Sequence, residues 1–248
     1  IGTSADCTAL VIANPPGPGL VTRAVCIHEP RALRIWLTRT GVPGSAHARP
    51  MTERDSASLE ASIRYDTIGR GYGNVRREDP VLRARIHSAL RESRSVVNVG
   101  AGTGSYEPLD RYVIAIEPSD VMASQRPEHA PPALRAFAHA LPLRDHAVDA
   151  ALAVMTVHHW DEQQERGVRE LRRVARGPVV IVTIDPRVCS AMWLLADYLP
   201  EAAELIRSIY PAPEQLCAWL GGTSRVEPVL VSHDTPDWSI LSYWAHPE

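Results

Sequence analysis

The sequence contains no lysine; its 26 basic residues are all arginine. That excludes Schiff-base chemistry and the lysine of a phosphate-binding P-loop. Phenylalanine occurs once, at Phe137. With abundant Ala, Pro and Gly, this bias suggests a high-GC coding sequence rather than a functional demand. The four cysteines, Cys7, Cys26, Cys189 and Cys217, include no C-x-x-C pair and no His at zinc-finger spacing. They read as small core residues, and no metal is expected. No apolar run approaches the ~20 residues that span a bilayer. The first residues also lack the charged-then-apolar layout of a signal peptide, so the expected location is the cytoplasm. A net charge of -3 gives no electrostatic footprint for nucleic acid, whose binding leans on clustered Lys and Arg.

The chain has 248 residues, enough for one sizeable α/β domain with an appendage or at most two small domains. Residues 1–50 hold clustered Pro and Gly (Asn14-Pro-Pro-Gly-Pro-Gly19) and no sustained period. Met51-Thr-Glu-Arg-Asp then reads like the natural beginning of a bacterial protein. The expectation is an extension over 1–50, disordered or non-native and mostly unable to pack, followed by a domain over 51–248.

From Ala57 the pattern is regular. Leu59, Ile63 and Ile68 fall at helical spacing, with Tyr65 on a neighbouring face, before a glycine-rich break at Gly69-Arg-Gly-Tyr-Gly73. Asp79-Pro80 is a good N-cap and first-turn pair, opening a helix whose stripe is Leu82, Ile86, Ala89 and Leu90. Residues 95–99, 112–116, 148–154 and 178–184 read as buried strands, with a weaker one near 134–137 and another at 226–231. Val168, Leu171, Val174 and Ala175 mark a helix between two of them. Strands alternating with helices argue a doubly wound, mostly parallel α/β sheet. After Asp185-Pro186 the segments turn helical and aromatic, and residues 237–245 read as a last helix.

The strongest local signal is Val96-Val-Asn-Val-Gly-Ala-Gly-Thr-Gly104, a strand running straight into Gly-x-Gly-x-Gly. Glycines suit a backbone that turns tightly while a ligand presses against it. Dinucleotide-binding folds use a related turn, but G-x-G-x-x-G would need glycine at Ser105. Glu117 ends the next strand about where a carboxylate reaches a ribose, a feature both folds share.

Downstream come Leu141-Pro142-Leu143, then Asp145-His-Ala-Val-Asp149, Ala153-Val-Met-Thr-Val-His-His-Trp160 and Arg169-Glu-Leu-Arg-Arg-Val-Ala175. This succession resembles the class I S-adenosylmethionine-dependent methyltransferases of the ubiquinone-biosynthesis type. Their pattern is V-L-D-V-G-x-G-T-G, an acidic end to the second strand, A-x-x-L-P-F, F-D, L-H-H and E-x-x-R-V. The resemblance covers residues 60 to 185, and five motifs stand in order at natural spacings.

The resemblance implies a Rossmann-like fold with a helical cap and a methyl transfer from S-adenosylmethionine to a small-molecule acceptor. Residues 57–94 would form lid helices, 95–184 the cofactor-binding core, and 185–248 the substrate cap and C-terminal part. Gly100, Ala101, Gly102 and Gly104 would lie against the methionine and ribose. Glu117 would accept hydrogen bonds from both ribose hydroxyls, and Met122 would cover the adenine. Ala138 and His139 would contact the adenine edge, while Val154 and Met155 pass close to the sulfonium. Tyr65 and Tyr72 fall in the segment resembling the family's lid.

Three departures stand out. The acidic residue of the first motif is Asn98 here, which lacks the charge that helps hold the cofactor's amine. The Asp often found before the adenine-edge position is Phe137. Finally, class I domains end in an antiparallel hairpin whose last strand slots between the fifth and sixth. After residues 226–231 only one helix remains, so this strand is expected to be missing, leaving an uncapped sheet edge.

His158 is the candidate general base, at a pKa suited to neutral pH. The alternative is that one of His158 and His159 packs or caps a helix while the other is solvated. Trp160, Trp193, Tyr198 and Trp219 either line an aromatic acceptor pocket or form the core of a helical cap. Arg70, Arg76 and Arg77 either clamp an acidic acceptor or form a solvated face. Arg169, Arg172 and Arg173 read as an exposed helix face, and Asp149 as the anchor of the fourth strand. Asn14-Pro15-Pro16 matches the start of the N-P-P-aromatic motif of amino-methyltransferases, but Gly17 removes its stacking platform.

Three readings compete. The first is an active small-molecule methyltransferase. The second is a truncated or degraded domain with weak or no cofactor binding, and Asn98 and the missing strand favour it. The third, a nicotinamide-dependent oxidoreductase, is disfavoured by Ser105 and Leu141-Pro142.

Overall fold

The computed structural model describes residues 8–14, 66, 69–70, 72 and 77–229. Expectations placed on residues 15–17, on Leu59, Ile63, Tyr65 and Arg76, on the break at Met51 and on the helix at 237–245 lie outside the described residues.

Among the described residues, seven strands form one sheet in the order β4-β3-β2-β5-β6-β1-β7. They are β1 (Thr8–Asn14), β2 (Ser95–Val99), β3 (Tyr112–Ile116), β4 (Ala133–Leu134), β5 (Ala150–Val154), β6 (Val179–Ile184) and β7 (Thr223–Val229). β2 runs parallel to β3 and β5, β3 to β4, and β5 to β6. Parallel strands buried on both faces read as continuous apolar runs, and β6 shows why. Val179 and Ile181 face one layer while Val180 and Val182 face the other.

On the first face the sheet packs against α3 (Gln164–Val174) through Val168, Leu171 and Val174, and against α6 (Pro213–Leu220) through Leu216 and Leu220. On the second it packs against α1 (Pro80–Ala89) through Leu82, Ile86 and Ala89. Asp79 caps α1 as expected, its Oδ1 accepting from the N–H groups of Val81 and Leu82 at 2.8 and 2.9 Å. A short helix, α2 (Asp120–Ser124), comes after β3.

β1 corrects the expectation for the first fifty residues over its own seven. It pairs antiparallel with β6 on one side and β7 on the other. Leu10 and Ile12 enter one core layer and Val11 the other, all three buried. The slot between the fifth and sixth core strands, expected to be empty, is therefore filled by β1. β7 begins at Thr223 rather than 226, and it carries Pro228 opposite Ala9. Proline lacks an N–H, so it is tolerated there because β7 lies at the sheet edge.

Beyond β6 come α4 (Pro186–Ser190), a π-helical turn (Leu194–Tyr198) and α5 (Pro200–Ile209). Trp193 and Tyr198 are 61% and 69% exposed and meet edge to face at 5.8 Å. They neither line an acceptor pocket nor build a cap core. Trp219 packs against the first core layer.

The arginines of α3 also depart from expectation. Arg169 is exposed and pairs with Glu165 one turn away. Arg173 instead ties loops together: it donates to the Leu143 carbonyl at 2.8 Å, to Asp145 and to Glu170. Arg172 donates to the carbonyls of Ala175 and Gly177. The Arg173 contacts join α3 to the segment before β5, and those of Arg172 hold the turn between α3 and β6. Asp149 anchors β5 as expected, its Oδ2 accepting from the backbone of Arg94 and Ser95 and from the Ser95 hydroxyl, each at 3.0 Å. Among the described residues no helix is long and apolar enough to cross a membrane.

Candidate functional site

Four parallel strands, β4, β3, β2 and β5, lie side by side, and the segments that leave them build one cavity. After β2 the chain turns through Gly100 to Gly104, with Gly100 at φ +70° and Gly102 at +50°. The N–H groups of Gly100 and Ala101 both donate to the Ile116 carbonyl at 2.9 Å, pinning the turn to the end of β3. A Cβ on Gly100 would lie 1.9 Å from Thr156 Oγ1, so only glycine fits beside this residue beyond β5.

After β3 comes Glu117, 7% exposed. Its Oε2 accepts from Gly102 N–H at 2.7 Å and its Oε1 from Ser119 N–H at 2.9 Å. Each oxygen keeps a further lone pair for a hydroxyl donor. Burial pushes the Glu117 pKa up, and the two backbone donors counter this only in part.

The third wall is a 3-10 turn, Ala138–Ala140, just before Leu141. Glu170 Oε2 accepts from Leu141 N–H at 3.0 Å, while Arg173 grips Glu170 and reaches the Leu141 carbonyl at 3.3 Å. The E-x-x-R spacing on α3 therefore holds the turn that carries Ala138 and His139. Gly167 adds a close approach, because a Cβ there would meet the Trp160 ring at 2.5 Å.

Of the residues singled out from sequence, Gly100, Ala101, Gly102, Glu117, Met122, Ala138, His139 and Val154 all line this cavity, as does Met155. Gly104 belongs to the turn but does not line it, and Tyr65 lies outside the described residues. Arg77 and Tyr72 reach the cavity as well.

His158 does not line it. Its ring stacks on Tyr210 with centroids 4.1 Å apart, and Nε2 lies 3.1 Å from the Tyr210 hydroxyl. Burial, with a smaller effect from His159, pushes its pKa down to about 2. Burial thus disfavours the charged form of His158, and of the adjacent pair it is His159 that lines the cavity.

Sequence reasoning missed three further groups. Thr156 and Tyr106 line the cavity, and Tyr106 accepts from the Asp79 N–H at 2.9 Å. Glu107 and Arg126 form a buried ion pair at 2.7 Å behind the glycine turn. A glutamate three residues beyond the last turn glycine is too common a feature to have marked itself as buried. Among the described residues no cluster of His, Cys, Asp and Glu is placed to hold a metal ion.

The arrangement fits S-adenosylmethionine on its own geometry. A side-chain-free turn gives close backbone approach, a buried carboxylate with spare lone pairs suits a ribose diol, and Met122 and Ala138 offer apolar surface for a base.

Comparisons with known proteins agree. Residues 97–182 match the family model of the methyltransferase domain. A protein of Anabaena variabilis described as a methyltransferase of an antibiotic biosynthesis pathway is 27% identical. That likeness covers 70% of this chain and 74% of that one, with a TM-score of 0.58. A SAM-dependent methyltransferase of Thermotoga maritima is 24% identical over 65% of this chain and 74% of its own, with a TM-score of 0.46. No curated protein sequence matches the chain significantly. The finer likeness to the ubiquinone-biosynthesis type rests on the motifs alone. The chain is thus similar to S-adenosylmethionine-dependent methyltransferases, and it carries the methyltransferase domain over residues 97–182.

Proposed function

We propose that the protein methylates a small-molecule acceptor in the cytoplasm, with the cofactor held by Gly100, Ala101, Gly102, Glu117, Met122, Ala138, His139 and Val154. The observation that carries this reading is the single cavity that joins these residues to Tyr72, Arg77, Met155, His159 and Trp160. The second group offers aromatic and apolar walls with one cation and one imidazole, a lining suited to a compact acceptor.

When bound, the cofactor supplies a methyl group already activated on a sulfonium. The chain need not create a strong nucleophile. It holds acceptor and methyl carbon together and keeps water out, an effect worth up to ~7–11 kcal/mol in well-oriented cases. His159 takes the base role expected of His158, accepting the proton that an acceptor hydroxyl or amine loses.

Net charge of -3 argues against a nucleic-acid substrate. The free thiols of Cys189 and Cys217 are in keeping with a reducing compartment. The Anabaena variabilis protein's link to antibiotic biosynthesis also supports a small acceptor.

The test is incubation with methyl-labelled S-adenosylmethionine and parallel pools of small phenols, amines and carboxylic acids, beside tRNA, duplex DNA and denatured protein. Label is expected in a small-molecule pool. Label confined to a macromolecular fraction would overturn the reading.

A further inference from the structure

Ser119 is the residue through which two carboxylates meet. It is 1% exposed and caps α2, its Oγ accepting from Met122 N–H at 3.2 Å. Its own N–H donates to Glu117 Oε1 at 2.9 Å. Its hydroxyl donates to Asp66 Oδ1 at 2.6 Å, and that same oxygen accepts from Val121 N–H at 3.4 Å. Asp66 is half-buried and stands 53 residues earlier, in the segment that precedes α1.

A second tie runs to the same helix. The carbonyl of Gly69 accepts from Gln125 Nε2 at 2.7 Å, and Gln125 Nε2 also reaches the Val121 carbonyl at 2.8 Å. The Gly69 carbonyl accepts in addition from the N–H of Tyr72, which lines the cavity. Asp66 and Gly69 are thus fastened to the two ends of α2, the helix that brings Met122 to the cavity.

A hydroxyl has one proton and two lone pairs, and it rotates to suit its partners. In Ser119 a lone pair faces Met122 N–H while the proton faces Asp66, so both ends of the hydroxyl are spoken for. A buried donor deprived of its acceptor is costly and reorients to find another. Any turn of Ser119 is felt at Glu117, because Ser119 N–H and Gly102 N–H each hold one of its oxygens. Those two donors set the carboxylate plane, and the lone pairs left over are the ones a vicinal diol would meet. The charge of Asp66 does not help an acceptor of hydroxyls directly. Burial chiefly, and Asp66 to a smaller degree, push the Glu117 pKa up, so what Asp66 contributes is geometry.

We propose that Asp66 is a positioning residue for the cofactor's ribose, holding Ser119 so that the Glu117 carboxylate presents its free lone pairs to the diol. The ribose contact is therefore completed by a residue from outside the β2–β6 core. This inference rests on reading the cavity as the S-adenosylmethionine site.

The test titrates the full chain with S-adenosylhomocysteine and compares Asp66→Ala on the wild-type and Glu117→Ala backgrounds, with Tm recorded for each. Where Glu117 is present, Asp66→Ala is expected to lower affinity roughly 5- to 30-fold; where Glu117 is absent, by less than about 2-fold, because both residues act on one contact. Asp66→Asn keeps an acceptor oxygen for Ser119 and is expected to recover most of the loss. Ser119→Ala removes the same hydrogen bond from its other end and is expected to repeat the pattern of Asp66→Ala. An equal loss on both backgrounds, or no loss on either, would overturn the proposal and leave the cofactor site standing. Wild-type protein that binds no S-adenosylhomocysteine would overturn the cofactor reading itself.

Discussion

Gly100 and Thr156 share one space: the point where a Cβ of Gly100 would stand lies 1.9 Å from the Thr156 hydroxyl oxygen. The turn after β2 and the residue beyond β5 are thus locked together, and the cavity floor depends on the absence of a single methyl group. Gly100→Ala forces either the turn or Thr156 to move, and it places an alanine at φ +70°. Strain of this kind costs about 1–3 kcal/mol. The expected outcome is a lowered Tm together with loss of S-adenosylhomocysteine binding by calorimetry. The double variant Gly100→Ala/Thr156→Gly is expected to recover part of the Tm.

The two adjacent histidines separate by role. His159→Ala is expected to lower kcat by ~10²–10⁴-fold, the usual contribution of a positioned base, with little change in Tm. His158→Ala leaves the Tyr210 hydroxyl without its buried partner and is expected to cost about 1–3 kcal/mol of stability. Steady-state kinetics beside thermal unfolding of both variants checks the assignment.

β1 belongs to the core, so its loss is expected to be felt through the whole sheet. Leu10 is fully buried between β6 and β7 neighbours. Leu10→Ala is expected to destabilise the fold by about 2–5 kcal/mol, read as a shifted denaturation midpoint with an unchanged slope.

Cofactor binding should weaken in acid sooner than an ordinary glutamate would dictate. Burial raises the Glu117 pKa above its usual 4.5. The ionised form accepts from the ribose, whereas the protonated form gives up one acceptor oxygen. Affinity is therefore full above the raised pKa and lost as pH falls through it. Titrations between pH 7 and the acid limit of folding check this. Glu117→Gln is expected to bind weakly at every pH and to lose the acid dependence.

How much of the molecule is legible in its sequence depends on whether the forces are local. β2 and β3 are readable at their observed bounds, because buried parallel strands are short apolar runs and here end at a glycine turn and an acidic residue. Gly100, Ala101, Gly102 and Glu117, which line the cavity, come from the same local signals, whereas Met122, Ala138, His139 and Val154 come from the family resemblance.

β1 escapes such a reading because it is a short apolar stretch amid Pro and Gly, and its partners lie at residues 179–184 and 223–229. Nothing local distinguishes it from a loop. The choice between His158 and His159 is settled by Tyr210, 52 residues away. Arg173 reads as a solvated helix face, yet its partners are carbonyls and carboxylates of a loop that packs against α3 only in the folded chain. Glu107 and Arg126 are likewise invisible until the turn brings them together.

Calorimetric titration of S-adenosylhomocysteine into the wild type and into Glu117→Ala reaches the centre of this account. The wild type is expected to bind one ligand per chain, and the variant to lose roughly 100-fold in affinity through two charge-assisted hydrogen bonds. Equal affinity in the two proteins, or no heat from the wild type at saturating ligand, would contradict it.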